Sequence, residues 1–181
     1  MKMRKLFAGI AAAATLLGGM ALGATSAQAD DAAGTPVTGE ATFTFTAETA
    51  EQLTNANLKA YKIGDYVQYG SDENVAYGVV TNSNNKTAVD SALKAAGVDT
   101  TDSKVDHLAA ALNAGTLDIS ATRPWDKTAN GNASTTRAFA NALESEGKLA
   151  SGQKVTLGAA TTVQGGYSAS VNLPVGIYVF I

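Results

Sequence analysis

The chain ends, at residues 165–181, in GGYSASVNLPVGIYVFI, which predicts two strands around a Leu-Pro-x-Gly turn. The last run, Tyr178-Val179-Phe180-Ile181, combines aromatic and β-branched residues of the kind that fills the middle of a sheet. A domain seldom stops on such a strand with no polar residue after it. We therefore expect the chain to be the first domain of something longer.

Strand patterns also mark the earlier part of the chain. Glu40–Ala47 alternates strictly, with Ala41, Phe43 and Phe45 on one face and threonines on the other, which predicts a half-buried strand. A second strand is predicted over Asn57–Tyr69, with a bend or bulge at Gly64-Asp65. The remaining predicted strands cover residues 75–80, 153–157, 166–172 and 176–181.

Three helical patterns lie between these strands. The segments Thr87-Ala88-Val89-Asp90 and Ser103-Lys104-Val105-Asp106 are typical of capping boxes, and Ser134 is a third cap. The glycines that end the three apolar stripes are Gly97, Gly115 and Gly147. The order of elements predicts a mainly β (α+β) fold, an antiparallel β-sandwich with the helices of residues 87–146 inserted between strands and lying on one side.

The first 29 residues have the pattern of a secretory signal. Lys2, Arg4 and Lys5 precede an apolar run, and Ala27-Gln28-Ala29 is a small-x-small cleavage site before Asp30. A membrane anchor is the alternative, but the apolar run is short and broken by glycine. We expect a signal peptide at 1–29, a linker at 30–39 and a single domain at 40–181.

Composition limits the class of partner. Without the three basic residues of the leader, ten Lys and Arg stand against 16 Asp and Glu, so no basic nucleic-acid surface is expected. The chain has no cysteine, so an exported domain of this sequence gains nothing from disulfides. An acidic mature chain without a membrane span suits an exported protein that has to stay in solution.

Few residues offer chemistry. His107 is the only histidine, is predicted to face solvent, and has no Cys or Gly-x-Ser-x-Gly motif to accompany it, so no enzyme is expected. Asp99, Asp102 and Asp106 lack the EF-hand spacing and are interpreted as cap and turn residues. The pattern calls for no metal and no cofactor.

Trp125 is the one tryptophan and follows Arg123-Pro124 between predicted helices. An indole in a loop can stack on a sugar ring, which makes Trp125 a candidate ligand contact. The favoured interpretation is that it covers the rim of the core.

Three segments resemble the N-terminal domain of Gram-positive, sortase-assembled pilin backbone subunits. They are LKAYKIGDY at 58–66, the helical block at 88–114 and 134–149, and Gly166-Tyr167 followed by LPVGIYV at 173–179. The resemblance implies an Ig-like sandwich of the pilin N-domain type and a structural subunit of surface pili (fimbriae) that supports adhesion. It also implies other pilin subunits and a pilin sortase as partners, and a place in the cell wall, or secretion if the chain is complete.

The chain departs from this family in the groups that sortase joins. It contains no Tyr-Pro-Lys and no Leu-Pro-x-Thr-Gly, since Leu173-Pro174-Val175-Gly176 lacks the threonine. The family also implies an internal Lys–Asn isopeptide bond, for which Lys59 or Lys62 with Asn172 are the candidates. The absence of such a cross-link is the favoured expectation.

A binding module is the alternative function. In that interpretation the chain is a surface adhesin domain, outside any pilus shaft, that contacts a host matrix protein or glycan. The contact would be made by the helical insertion and the loop around Trp125.

Overall fold

The computed structural model describes residues 9–11, as main chain, and residues 34–70, 75–117 and 134–181. The strands in these ranges are β1 Gly9–Ala11, β2 Thr35–Pro36, β3 Glu40–Ala47, β4 Lys59–Tyr69, β5 Ala76–Thr81, β6 Gln153–Lys154, β7 Thr161–Val163, β8 Gly166–Pro174 and β9 Ile177–Phe180. The helices are α1 Ala50–Thr54, α2 Lys86–Ala95, α3 His107–Asn113 and α4 Thr135–Glu146.

The strands form two antiparallel sheets. The larger has the order β1-β9-β4-β2, and β5 and β6 also pair with β4. The smaller has the order β3-β8-β7, and its main pair runs in register from Glu40 opposite Pro174 to Ala47 opposite Tyr167. The prediction of a mainly β, antiparallel fold with a few helices is thus confirmed.

The two sheets face each other through four aromatic rings. Phe43 and Phe45 of β3 meet Tyr178 and Phe180 of β9, with Phe43–Tyr178 centroids 5.3 Å apart and Phe45–Phe180 centroids 5.0 Å apart. Both pairs meet edge to face, the geometry that the ring quadrupoles favour. This cluster holds the smaller sheet on the larger one and makes the arrangement sandwich-like.

Helices cover the opposite face of the larger sheet. Because side chains alternate along a strand, Ile177 points away from the face that Tyr178 occupies. A Cβ on Gly64 would lie 3.3 Å from Ile177 Cδ1 and 3.1 Å from Leu108 Cδ2 of α3. Since α2 packs against both α3 and α4, the helices of residues 86–146 lie on one side of the sheet, as predicted.

Two predicted helix starts are wrong. The helix expected from a Thr87 capping box begins at Lys86, with Asn85 in the cap position and no side-chain cap bond. The helix expected from a Ser103 box begins at His107, because Asp106 rather than Ser103 accepts the capping bond, from Ala109 N–H. Asp106 also bonds to Thr81 of β5, a partner on another element.

Other helix signals hold. Ser134 Oγ accepts from Arg137 N–H at 3.2 Å, and Gly147 ends α4 with a φ of 59°. The short helix α1 was not predicted, although Thr49 and Gln52 form both bonds of a capping box. The sequence signal for α1 was therefore present at the expected spacing.

The long strand β4 changes neighbours near its middle. β9 pairs with it as far as Lys62, whereas β5 pairs with it from Gly64 onward. Ile63 and Gly64 are both buried, so two consecutive residues interrupt the alternation of buried and exposed positions along β4. This interruption lies where the sequence predicts a bend. Within the stretch predicted as a linker, Thr35–Pro36 forms β2 and pairs with Val67 and Gln68 of β4.

Candidate functional site

Two of the segments that carry the pilin resemblance lie side by side in the larger sheet. The strand β9 pairs with the first half of β4, with Ala60 opposite Phe180, Tyr61 opposite Val179 and Lys62 opposite Tyr178. Lys59 and Ile181 exchange main-chain hydrogen bonds of 2.7 and 3.0 Å, which extends the pairing by one residue. Strands far apart in the sequence thus meet in one ladder.

The Leu-Pro-Val-Gly segment joins the two sheets. It is a turn between two strands, as predicted, but β8 belongs to the smaller sheet and β9 to the larger one. Val175 N–H donates to Gly39 O at 3.0 Å, and the Tyr178 hydroxyl donates to Pro174 O at 2.8 Å. A Cβ on Gly176 would lie 2.9 Å from Gly64 O and would also collide with the Lys62 stem, so only glycine fits this crossing.

A polar cluster lies beside this crossing. Lys62 Nζ is 2.6 Å from Asp65 Oδ1, and Asn82 Nδ2 donates to Asp65 Oδ2 at 2.9 Å. The Lys62 and Asp65 side chains are 29% and 33% exposed, so water supports both charges. The arrangement is that of a half-exposed ion pair.

Tyr178 is tied to the same cluster by electrostatics. Burial raises the pKa of its hydroxyl to about 12, and the negative charge of Asp65 contributes in the same direction. The neutral phenol is therefore the form that the folded protein holds, and it donates the bond to Pro174 described above.

Asn85 connects three parts of the chain from a buried position. Its Nδ2 donates to Lys62 O at 2.8 Å and to Ala150 O at 3.3 Å, and its Oδ1 accepts from Ala150 N–H at 2.7 Å. These bonds join β4, the start of α2 and the segment that follows α4. The side chain makes these bonds and no cap bond to α2.

His107 is buried, so the prediction that it faces solvent is wrong. Nδ1 lies 2.9 Å from Asp90 Oδ1 and Nε2 lies 2.9 Å from the Asp102 carbonyl oxygen. Both partners are acceptors, so a singly protonated ring can donate to only one of them. Asp90 also pairs with Lys86 at 3.2 Å. A ring held on both nitrogens is a structural link between helices.

The three aspartates near α3 have the expected cap and turn roles. Asp99 accepts hydrogen bonds from the Thr101 hydroxyl and from the Thr101 N–H. Both bonds lower the pKa of the Asp99 carboxyl, and the hydroxyl has the larger effect. Asp102 accepts from Lys104 N–H at 3.0 Å. Asp106 accepts from the N–H and the hydroxyl of Thr81, both at 2.7 Å, as well as capping α3. It therefore fastens α3 to the end of β5.

The residues of the candidate isopeptide bond have other neighbours in the structure. Asn172 lies on β8 in the smaller sheet, and its Oδ1 accepts from the Thr42 hydroxyl at 2.8 Å. Lys59 is exposed on β4, opposite Lys154 of β6, and Lys62 is paired with Asp65. The structure places Asp65 and Asn82 next to Lys62, and the Lys62-x-x-Asp65 spacing was the only sequence sign of it.

Several residues singled out in the sequence lie outside the described residues. These are Trp125 and the cleavage-site residues Ala27, Ala29 and Asp30. Their expected roles stay predictions.

Among residues 34–70, 75–117 and 134–181, no cluster of three or more His, Asp or Glu side chains could hold a metal ion. Over the described part of the chain, no helix is both long enough and apolar enough to cross a membrane.

Glu144 is exposed and Glu146 lies 3.4 Å from Lys148, at the end of α4. Comparisons with protein-family models, with curated proteins and with solved structures each found no match to this chain.

Proposed function

We propose that this chain is a structural subunit, or the N-terminal domain of one, in the pili (fimbriae) of a Gram-positive cell surface. In this proposal the sandwich is of the Ig-like, pilin N-domain type and has no catalytic role. Other pilin subunits and a pilin sortase are the partners, and the fibre supports adhesion.

One observation carries the proposal. The strand β9, which contains the end of the Leu173–Val179 motif, pairs with β4 inside the Leu58–Tyr66 motif, with Tyr61 opposite Val179 and Lys62 opposite Tyr178. An accidental likeness of two short apolar runs would not require them to be neighbours. The fold also gives two motif residues a structural reason. Gly64 O approaches Gly176 too closely for a larger residue, and Tyr178 packs against Phe43 and donates a hydrogen bond to Pro174 O.

Export is part of the proposal. The pattern of residues 1–29 supports a signal peptide that is removed before Asp30. A fold with no cysteine and with its main aromatic cluster between two sheets needs no oxidising enzyme to reach its final form.

The proposal is tested on cells that carry the native gene with whatever follows residue 181 in its reading frame. An antibody raised against the folded domain should label thin fibres in immunogold electron microscopy. Wall extracts should give a ladder of high-mass species after boiling in denaturant, and deletion of the sortase gene should reduce it to one band. Cells lacking this gene are the matched control.

Two outcomes overturn the proposal. In the first, the antibody finds the protein only as a monomer in the medium or evenly over the cell, with no fibres and no ladder. In the second, the domain shows no fibre but binds an immobilised matrix protein or glycan saturably, which identifies it as an adhesin module.

A further inference from the structure

One edge of the larger sheet is formed by β1. Gly9, Ile10 and Ala11 pair antiparallel with Phe180, Val179 and Tyr178, respectively. This makes β9 an interior strand with β4 on one side and β1 on the other. All four residues of β9 are buried, as is usual for an interior strand.

The hydrogen bonds of β9 show which groups β1 serves. Ile181 exchanges both main-chain bonds with Lys59, so its N–H and C=O point toward β4. Because these groups alternate in direction along an antiparallel strand, those of Val179 also point toward β4, and those of Tyr178 and Phe180 point toward β1. Removal of β1 therefore leaves four main-chain groups of β9 without a strand partner.

The segment that forms β1 lies within the predicted signal peptide. Cleavage before Asp30 would remove Gly9–Ala11 and turn β9 into an edge strand. An apolar edge strand with a free row of N–H and C=O groups is a template for pairing with another chain.

We propose that the outer edge of β9 is a strand-acceptor site, which is filled in the precursor by residues 9–11. In the mature protein it takes an extended, glycine- and alanine-rich apolar segment of another polypeptide, antiparallel to β9. The inference rests on the proposed export of the chain, because it requires that the leader is removed. It goes beyond it in naming the surface and the chemistry of the partner.

The surroundings of the edge determine the chemistry of this partner. Helix α4 lies against β1, so an added strand fits between β9 and a helix. The segment that the structure places there is Gly9-Ile10-Ala11, in which two of the three residues are glycine or alanine. Main-chain bonds to the edge would supply affinity, and small residues such as Gly9 and Ala11 suit a strand that lies against α4. The acidic start of the mature chain, Asp30-Asp31, lacks this character.

The test uses the secreted protein that begins at Asp30 and a fluorescent peptide of residues 6–14 with added terminal lysines for solubility. We expect saturable binding by fluorescence anisotropy. Hydrogen exchange at the Tyr178 and Phe180 amides should slow when peptide is added, whereas the Val179 amide, already bonded to β4, should not change.

Two N-methylated peptides provide the matched comparison. The pairing places the Gly9 and Ala11 N–H groups toward β9 and the Ile10 N–H away from it. N-methylation at both Gly9 and Ala11 should weaken binding by about tenfold or more, whereas N-methylation at Ile10 should change it by no more than about threefold. Simple hydrophobic adsorption would treat the two peptides alike.

Each other outcome overturns the inference. These outcomes are no saturable binding, equal loss with both N-methylated peptides, or a secreted protein that still carries residues 9–11. If the secreted protein alone forms a dimer with slow Tyr178 and Phe180 amides, the edge is filled by a second copy and the assigned partner is wrong. Labelled fibres on cells together with failed peptide binding would leave the pilus proposal standing without this site.

Discussion

His107 shows how a single side chain can fasten helices in this domain. Its two ring nitrogens contact Asp90 of α2 and the main chain at Asp102, which precedes α3. Replacement by alanine removes the ring that lies between Asp90 Oδ1 and the Asp102 carbonyl oxygen in a partly buried position. We expect His107→Ala to lower the free energy of unfolding by roughly 1–3 kcal/mol, measured by urea denaturation.

Val105 provides the control for this substitution. It lies two residues away and is 37% exposed, so Val105→Ala should stay within about 0.5 kcal/mol of the parent. An unfolding free energy unchanged by His107→Ala would show that the ring makes no net contribution.

Tyr178 predicts a dependence of stability on alkaline pH. The unfolded chain ionises this phenol near the ordinary tyrosine pKa of 10.0, whereas in the folded protein burial raises the pKa to about 12. The neutral form is favoured by folding, so its contribution is present below pH 10 and is lost as pH rises toward 12. With allowance for solvent screening, the loss is roughly 1–2 kcal/mol.

The measurement compares the parent with Tyr178→Phe in denaturant titrations at several pH values from 9 upward. The variant is expected to be less stable at neutral pH, because it lacks the bond to Pro174 O, but to lose less on going to high pH. Tyr66, whose pKa is also raised by burial, is present in both proteins and cancels in the comparison. Parallel pH profiles would contradict the assignment to Tyr178.

At the scale of elements, strands were easier to predict than helix starts. The period-two pattern of Glu40–Ala47 depends only on which face is buried, and β3 has the predicted bounds. The residue before α2 is instead Asn85, whose side chain bonds to Lys62 and Ala150, and the cap of α3 is Asp106, which bonds to Thr81. These partners lie on other elements, and local spacing carries no information about them.

The same reason limited the prediction of the site. The apolar run at 177–181 was enough to predict a core strand, but the neighbour of that strand is set by the folded sheet. The pairing of Lys62 with Asp65 and Asn82 joins β4 to the segment after β5, and the burial of His107 requires α2 to pass beside it. Such contacts are tertiary and were not accessible from periodicity.

The positions of β4 and β8 also bear on a cross-link. Lys62 is paired with Asp65, and Asn172 is bonded to Thr42 in the other sheet. We expect the intact mass of the purified protein to show no loss of ammonia, and no Lys–Asn peptide to be found after proteolysis. A mass lower by one ammonia that reverts in Asn172→Ala would show that the bond forms, whereas Asn82→Ala serves as the comparison for the neighbouring amide.

At the scale of the whole molecule, the proposed sortase-dependent assembly would need groups that this sequence does not contain. Sortase joins a threonine carbonyl of Leu-Pro-x-Thr-Gly to a lysine of the next subunit, and neither that motif nor Tyr-Pro-Lys occurs in the 181 residues. The 181-residue product expressed with a pilin sortase should therefore run as a monomer on a denaturing gel after boiling. A sortase-dependent ladder that survives boiling would show that another lysine or another signal is used.

The aromatic cluster between the sheets joins residues that are synthesised at very different times. Phe43 and Phe45 leave the ribosome well before Tyr178 and Phe180, which their rings pack against, have been polymerised. At a translation rate of about 5–20 residues per second, roughly ten seconds pass between the synthesis of the two phenylalanines and that of their partners. During that interval the two sheets cannot pack through these rings, so the sandwich is completed only after the end of β9 has been synthesised.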